Sequence, residues 1–409
     1  MKPIHILLNS VFAISTTCLS LGPRQSDGRI QPRKLPSHLT YDISSWENLQ
    51  DLLTTNVKEE GEAHGRIKPP KGSEFTSIEI GKQKEEVIPV FRTKESNMSS
   101  IEHLFIVLHG KRRDGDHYWS TMHKAIHDAR ENDSVTVKRK TMVIAPQFFS
   151  EKYNSGQYTK NQLAWGDINA WQAGLQAVHP KGTNMTSIDV LDGLVHAVSN
   201  KSIYPSMTNI TIVGHGGGGQ LSQRYAAVGK DGPEHIHIRY IHGDPSSCAY
   251  FTSDRSKFGK KEGLPGTWCK SYNTWRYGFD DFPGPESSEE YFRRYITRDV
   301  VSMVGYQDTS GNGDNSCMAY LQGGRKRRDR NMVWYKYVNM LARTNRSVSQ
   351  FPGDFGHIPD WSSISNNSIN LRLTIIKNAA HDVTEVFKSD GGLSALFSDR
   401  DVISGWRPN

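Results

Sequence analysis

Apolar and polar residues alternate in FTSIEIGKQKEEVIPVFRT, residues 75 to 93, on either side of Gly81. A period of two interrupted by a glycine predicts an antiparallel hairpin. Further along, that period disappears. HLFIVLHG and TMVIAPQF are short unbroken apolar runs ending in polar loops, as strands covered on both faces are, and His117 to Arg130 between them has helical spacing. The alternation continues with a helix at Ile188 to Val198, a strand at Ile210 to Val213, a helix from Gln220 to Val228 and the strand HIHIRYI at 235 to 241. A Trp-, Tyr- and Gly-rich stretch from about 249 to 295 interrupts the order and reads as a lid-like insertion. DVVSMVGYQD then predicts a strand, 329 to 343 a helix, and NLRLTIIKNAAHD a last strand and loop.

Strands alternating with helices predict an α/β fold, a mainly parallel central sheet with helices on both faces. Functional groups then belong on loops leaving the C-terminal ends of the strands. The organisation expected is one domain at 73 to 409, preceded by a partly ordered arm at 23 to 72 that is rich in Pro, Lys and Arg. Residues 1 to 22 have Lys2, an apolar stretch from Ile4 to Ile14 and small residues near Cys18 to Ser20, the layout of a cleaved signal peptide. No later segment approaches the apolar length of a membrane span, so no stable membrane insertion is expected.

Export is also suggested by seven N-x-S/T sequons, at Asn97, Asn132, Asn184, Asn200, Asn209, Asn345 and Asn366. Without the leader three cysteines remain, Cys248, Cys269 and Cys317. In an oxidising compartment a disulfide between Cys269 and Cys317 with Cys248 left as a buried thiol is favoured, the alternative being three reduced core cysteines. The formal charge of +7 is spread along the chain with acidic residues nearly balancing it, which argues against a nucleic-acid partner.

The candidate chemistry centres on TIVGHGGGGQ, residues 211 to 220, where a strand runs into a turn and a helix. This is the setting of a nucleophile elbow, G-x-S-x-G, yet here the pattern reads Gly214, His215, Gly216, Gly217, Gly218. The sequence resembles the α/β-hydrolase superfamily, and within it a fungal and bacterial branch of secreted or secondary-metabolism hydrolases whose elbow reads GHSAGGQ followed by QRYA. The likeness runs from about Leu104 to Phe397 and includes RYIHGDPSSCAYF, WRYG, RDVVSMVGYQDT, SCMAYLQG and HDVTEVF.

That resemblance implies a general base at His381 after the last strand and an orienting acid at Asp308 after the strand before it, with Asp244 as the alternative acid and Asp314 and Asp382 as neighbours that could mislead. It implies an oxyanion hole of backbone N–H groups from Gly217 and from the loop at Gly110 and Lys111. The departure is at position 216, where glycine offers nothing to attack a carbonyl; losing a triad serine removes on the order of 10⁶-fold in rate. His215 is expected to turn away from the site, Ser246 and Ser247 to position substrate or loop, and Ser222 to lie too deep.

A histidine and carboxylate beside a backbone oxyanion site can still abstract a proton or activate water. The expectation is therefore a secreted α/β-hydrolase-like protein lacking its serine, acting on a small organic or ester-like ligand; the other reading is an inactive binding module with a ligand or protein partner. GGRKRRDRN at 323 to 331 reads as a solvated helix face. HGKRRDGDHYW at 109 to 119 reads as a surface loop whose cations could otherwise favour an acidic substrate. His235 and His237 share a strand face without a third ligand, so no metal and no organic cofactor are expected.

Overall fold

The computed structural model describes residues 67–81, 86–131, 137, 139–166, 169–257, 265–399 and 401–408. The leader, nearly all of the arm and Asn132 lie outside the described residues. The hairpin predicted from the alternating stretch is present as β1 (Ser73–Glu79) and β2 (Val87–Thr93), paired antiparallel from Ser73 with Thr93 to Glu79 with Val87. The unbroken apolar runs form β3 (His103–Leu108) and β4 (Thr141–Pro146). Two short strands, β5 (Phe149–Ser150) and β6 (Ala164–Trp165), pair with each other apart from the main sheet. Then come β7 (Asn209–His215), β8 (His237–Gly243), β9 (Asp299–Gly305) and β10 (Arg372–Ile376).

The eight-stranded sheet has the order β1-β2-β4-β3-β7-β8-β9-β10 and is parallel from β4 to β10. Its two faces can be read along a single strand. Leu104, Ile106 and Leu108 of β3 enter one core cluster, and Phe105 and Val107 enter the other. Successive side chains of a strand point to opposite sides, so a strand apolar at every position must be covered twice. The first cluster takes residues of α2 (Ser187–Val198), α3 (Gly217–Val228), α4 (Ser288–Thr297) and α5 (Arg327–Leu341). The second takes residues of α1 (Gly115–Glu131), α6 (Val383–Lys388) and α7 (Asp390–Phe397). Helix starts are set by local chemistry: Thr186 and Asp189 form a reciprocal capping box on α2, and Asp382 accepts from the Thr384 and Glu385 N–H groups at α6.

Along the outer edge of the sheet the tail folds back on β10. The Ile375 N–H donates to the Ser404 carbonyl, the Trp406 N–H donates to Ile375, and the Trp406 ring lies 4.0 Å from that of Tyr306.

The excursion after β8 is tied down by a bond between Cys269 and Cys317, with sulfurs 2.10 Å apart, while Cys248 is buried and free. Burial pushes the Cys248 thiol up to about 12, which makes it unreactive at neutral pH. The aromatic residues of this insertion turn inward: Trp275 and Tyr277 are buried, and Phe279 stacks on Phe251 and Tyr291. Large rings stabilise an excursion most by leaving water. Of the sequons, Asn97, Asn184, Asn200, Asn345 and Asn366 are exposed, and Asn209 is half-buried at the first residue of β7.

Candidate active site

Strand β7 ends at His215 and the chain enters α3 one residue later, with Gly216 at φ +59 and ψ −114. That positive φ is poorly tolerated by residues with a Cβ, and a glycine adopts it freely. The helix begins at Gly217, three residues earlier than the pattern predicts, so the glycines belong to its first turn. Gly218 has a steric reason to be glycine, because a Cβ there would collide with the carbonyl oxygen of Leu108. The helix thus starts in backbone contact with the end of β3.

His381 follows β10, and its Nδ1 lies 2.9 Å from Asp308 Oδ2. Asp308, after β9, is fully buried and is gripped by Arg327, whose Nε donates to both carboxylate oxygens at 3.1 and 2.9 Å and whose Nη2 donates to Oδ1 at 2.8 Å. Burial pulls the Asp308 carboxyl upward, but the hydrogen bonds from His381 and Arg327 prevail and hold it below the usual range. The His381 side chain is 30% exposed. Its pKa is lowered, by loss of hydration first and by the neighbouring His215 second, with Asp308 opposing. The imidazole is therefore neutral at neutral pH and its Nδ1 is occupied, which leaves Nε2 as the free nitrogen. A Cβ built on Gly216 would fall 3.0 Å from that Nε2 and 3.3 Å from Cε1. The ring stands directly over the place of the missing side chain.

The loop after β3 approaches from the other side. His109 Nε2 accepts the Phe148 N–H at 3.0 Å, so its proton is on Nδ1, which donates to the Gly110 carbonyl at 2.8 Å. In a planar trans peptide the C=O and the following N–H point in opposite directions. Fixing the Gly110 carbonyl toward His109 therefore turns the Lys111 N–H away from it. The Lys111 nitrogen lies 3.3 Å from where a Cβ of Gly217 would be, so the two backbone segments named for an oxyanion hole are adjacent. Gln172 shares this corner, its Oε1 only 2.6 Å from the same point and accepting from Gln220 Nε2 at 3.1 Å.

Several expectations change. His215 does not turn away: its ring centroid is 4.5 Å from that of His381, and its Nε2 is 3.2 Å from Asp244 Oδ2. Asp244 is buried, takes φ +42, and accepts the Gly305 N–H at 3.0 and 3.2 Å, so it is the partner of His215 and not of His381. Together His215, Asp244 and His381 bring one donor atom each within 4.8 Å of the others, a set drawn from the end of β7 and the loops after β8 and β10 and invisible to local spacing. His237 instead pairs with Asp299 at 3.1 Å. Asp314 accepts from Tyr277 at 2.7 Å and Asp382 caps α6, so neither orients His381.

The basic run at 323 to 331 is a solvated face only in part: Arg325 and Lys326 are exposed, whereas Arg327 and Arg330 turn inward. Arg327 holds Asp308, and Arg330, also buried, donates to the Ser246 and Asp314 carbonyls at 2.8 and 2.7 Å. Arg113 likewise folds inward, donating to Asn154 and to the Lys111 carbonyl. Ser247 is buried and donates to Gln220 at 2.8 Å, and Ser222 donates to the Ile241 carbonyl at 2.8 Å. Arg327, which clamps Asp308, is the residue of this candidate site that the sequence pattern did not single out. A signal existed in its place at the N-terminus of the helix after the Asp308 loop.

These features define an α/β-hydrolase fold: a mainly parallel sheet, a strand-turn-helix elbow, and a histidine and carboxylate on the loops of the last two strands. Among solved structures, it is similar to the poly(aspartic acid) hydrolase-1 of Sphingomonas sp. KT-1, with a TM-score of 0.51 and 15% identity over 78% of this chain and 96% of that one. It is also similar to LpqC, a poly(3-hydroxybutyrate) depolymerase of Bordetella parapertussis, with a TM-score of 0.52 and 14% identity over 85% and 96% of the two chains. No family model matches the sequence, and no curated protein matches it.

Proposed function

We propose that this is a secreted, glycosylated hydrolase-like protein that acts on a small ester- or amide-like substrate through His381 and Asp308 without a covalent acyl intermediate. The observation that carries the reading is the intact pair at 2.9 Å, with its carboxylate clamped by Arg327 and its free Nε2 facing the space beside Gly216. In this reading Nε2 takes a proton from a water molecule as the oxygen adds to the substrate carbonyl. The oxyanion is met by the N–H groups of Gly217 and Lys111, and the proton passes to the leaving group as the tetrahedral species collapses.

One observation favours a second reading, a binding protein without turnover. The His381 ring and the Gln172 amide stand where the side chains of residues 216 and 217 would lie. Turnover of a panel of activated acyl esters by the wild type, His381→Ala and Gly216→Ser decides between them. A His381 base predicts wild-type turnover that falls about 10²–10⁴-fold in His381→Ala. Unchanged turnover in that variant removes His381 from the mechanism. Silence from wild type and Gly216→Ser, both folded, favours the binding protein. Activity confined to Gly216→Ser means that only the hydroxyl was missing.

A further inference from the structure

His215, Asp244 and His381 leave three different strands at the same edge of the sheet. We propose that they form a site for one divalent transition-metal ion of the zinc type, ligated by His215, Asp244 and Nε2 of His381, with a position left for water or substrate.

The spacing suits such an ion. Two ligands on a tetrahedral centre with bonds of about 2.0 Å stand about 3.3 Å apart, and His215 Nε2 is 3.2 Å from Asp244 Oδ2. By the same arithmetic two imidazoles on one ion have ring centres about 5 Å apart; these are 4.5 Å apart, so closing on an ion spreads the rings by about half an ångström. All three donors lie within 4.8 Å of one another, and since two bonds of about 2.0 Å span at most about 4 Å, the part-exposed His381 ring closes the remaining distance when the ion binds. Two imidazoles and one carboxylate are a donor set that zinc takes in open sites.

The surroundings are those of oriented ligands. Asp308 holds Nδ1 of His381 and so presents Nε2, and the Gly305 N–H holds both oxygens of Asp244. Partners of this kind fix a ligand's direction and raise affinity. A Cβ on Gly243 would come within 3.1 Å of the His215 ring, so the bare backbone there lets the ring lie beside His381. Gly216 likewise places no side chain in front of Nε2. The site goes beyond the acid-base reading and competes with it, since the Nε2 lone pair goes either to a proton or to the ion.

Calorimetric titration of Zn²⁺ into the chelator-treated full chain tests the site, with His381→Gln, Asp244→Asn and His237→Ala beside the wild type. One equivalent is expected to bind to the wild type and to His237→Ala, with affinity falling at least about tenfold in the other two variants. Absence of one-equivalent binding, or binding indifferent to His381→Gln, overturns the site. Asp244 is fully buried and its variant can fail to fold, so His381→Gln and a cobalt(II) titration of the wild type carry the test without it. Visible bands of a low-coordinate cobalt centre support the site, and the weak spectrum of the hydrated ion overturns it. Ester turnover separates this result from the acid-base reading. Zinc that binds and silences His381-dependent turnover supports both. Zinc that binds and raises turnover supports the site and overturns the base. Turnover without zinc binding overturns the site alone.

Discussion

Two histidine-carboxylate pairs stand side by side at one edge of the sheet, and they are built in opposite ways. His381 is part exposed, and its carboxylate is gripped by a buried guanidinium. His215 is buried, and its carboxylate is anchored by a backbone N–H at the end of the next strand. Exposure on a clamped carboxylate suits a group that must meet a bound molecule and exchange protons with it. Burial on a backbone anchor suits a group whose position must not change. Asp244 even takes the left-handed region, at a cost of roughly 1–2 kcal/mol, to point its carboxylate along that line.

The sharpest way to break this comparison is Arg327→Met. Removing the guanidinium leaves Asp308 buried with only His381 beside it, and losing one partner of a buried pair costs about 3–5 kcal/mol. Urea unfolding measures the loss, and a change below about 1 kcal/mol would erase the asymmetry between the pairs.

A third histidine gives the scale for burial with no carboxylate hydrogen bond. His103 is buried with its Nε2 2.8 Å from Thr211 Oγ1. Burial first, then the charges of Arg139 and Arg239, lowers its pKa to about 3, against the pull of Asp399. The folded pKa lies below the unfolded one, so between them the unfolded chain binds the extra proton. Stability therefore falls as pH drops below about 6.5, by roughly 3 kcal/mol at pH 4 from this residue. His103→Gln should flatten that acid limb in thermal unfolding, and parallel pH curves for variant and wild type would refute the assignment.

The smallest effect sharpens the comparison most. Gly216→Ala puts a Cβ at φ +59 and 3.0 Å from His381 Nε2, with an expected cost of about 1–2 kcal/mol. The His381 ring must yield by a few tenths of an ångström while His215 need not. Ring-proton NMR signals should shift for His381 alone, and an equal shift of both would mean that the two rings move as a unit.

The sheet was legible because each strand carries its own evidence: unbroken apolar runs at β3 and β4, alternation at β1 and β2. His381 and Asp308 were legible through the resemblance, which places a base and an acid after the last two strands, and the structure brings the two side chains together. The start of α3 was not, because four glycines look like a turn until the close approach to Leu108 explains Gly218. Arg327 was missed because a run of cations in sequence looks solvated, whereas helix geometry turns Arg327 and Arg330 inward. The nearness of His215 to His381 depends on how β7, β8 and β10 end at one edge, a relation that no local pattern contains.

The tail that returns along β10 bears on how copies of this molecule behave toward one another. An outermost strand leaves a row of backbone donors and acceptors that a neighbouring chain can pair with. Here the Ile375 N–H and carbonyl are already paired with Ser404 and Trp406, and Gly405 allows the approach because a Cβ there would strike the Ile375 oxygen. A short segment with little structure of its own thus occupies the edge that a second copy would use at Ile375, and it does so on the strand that leads to His381.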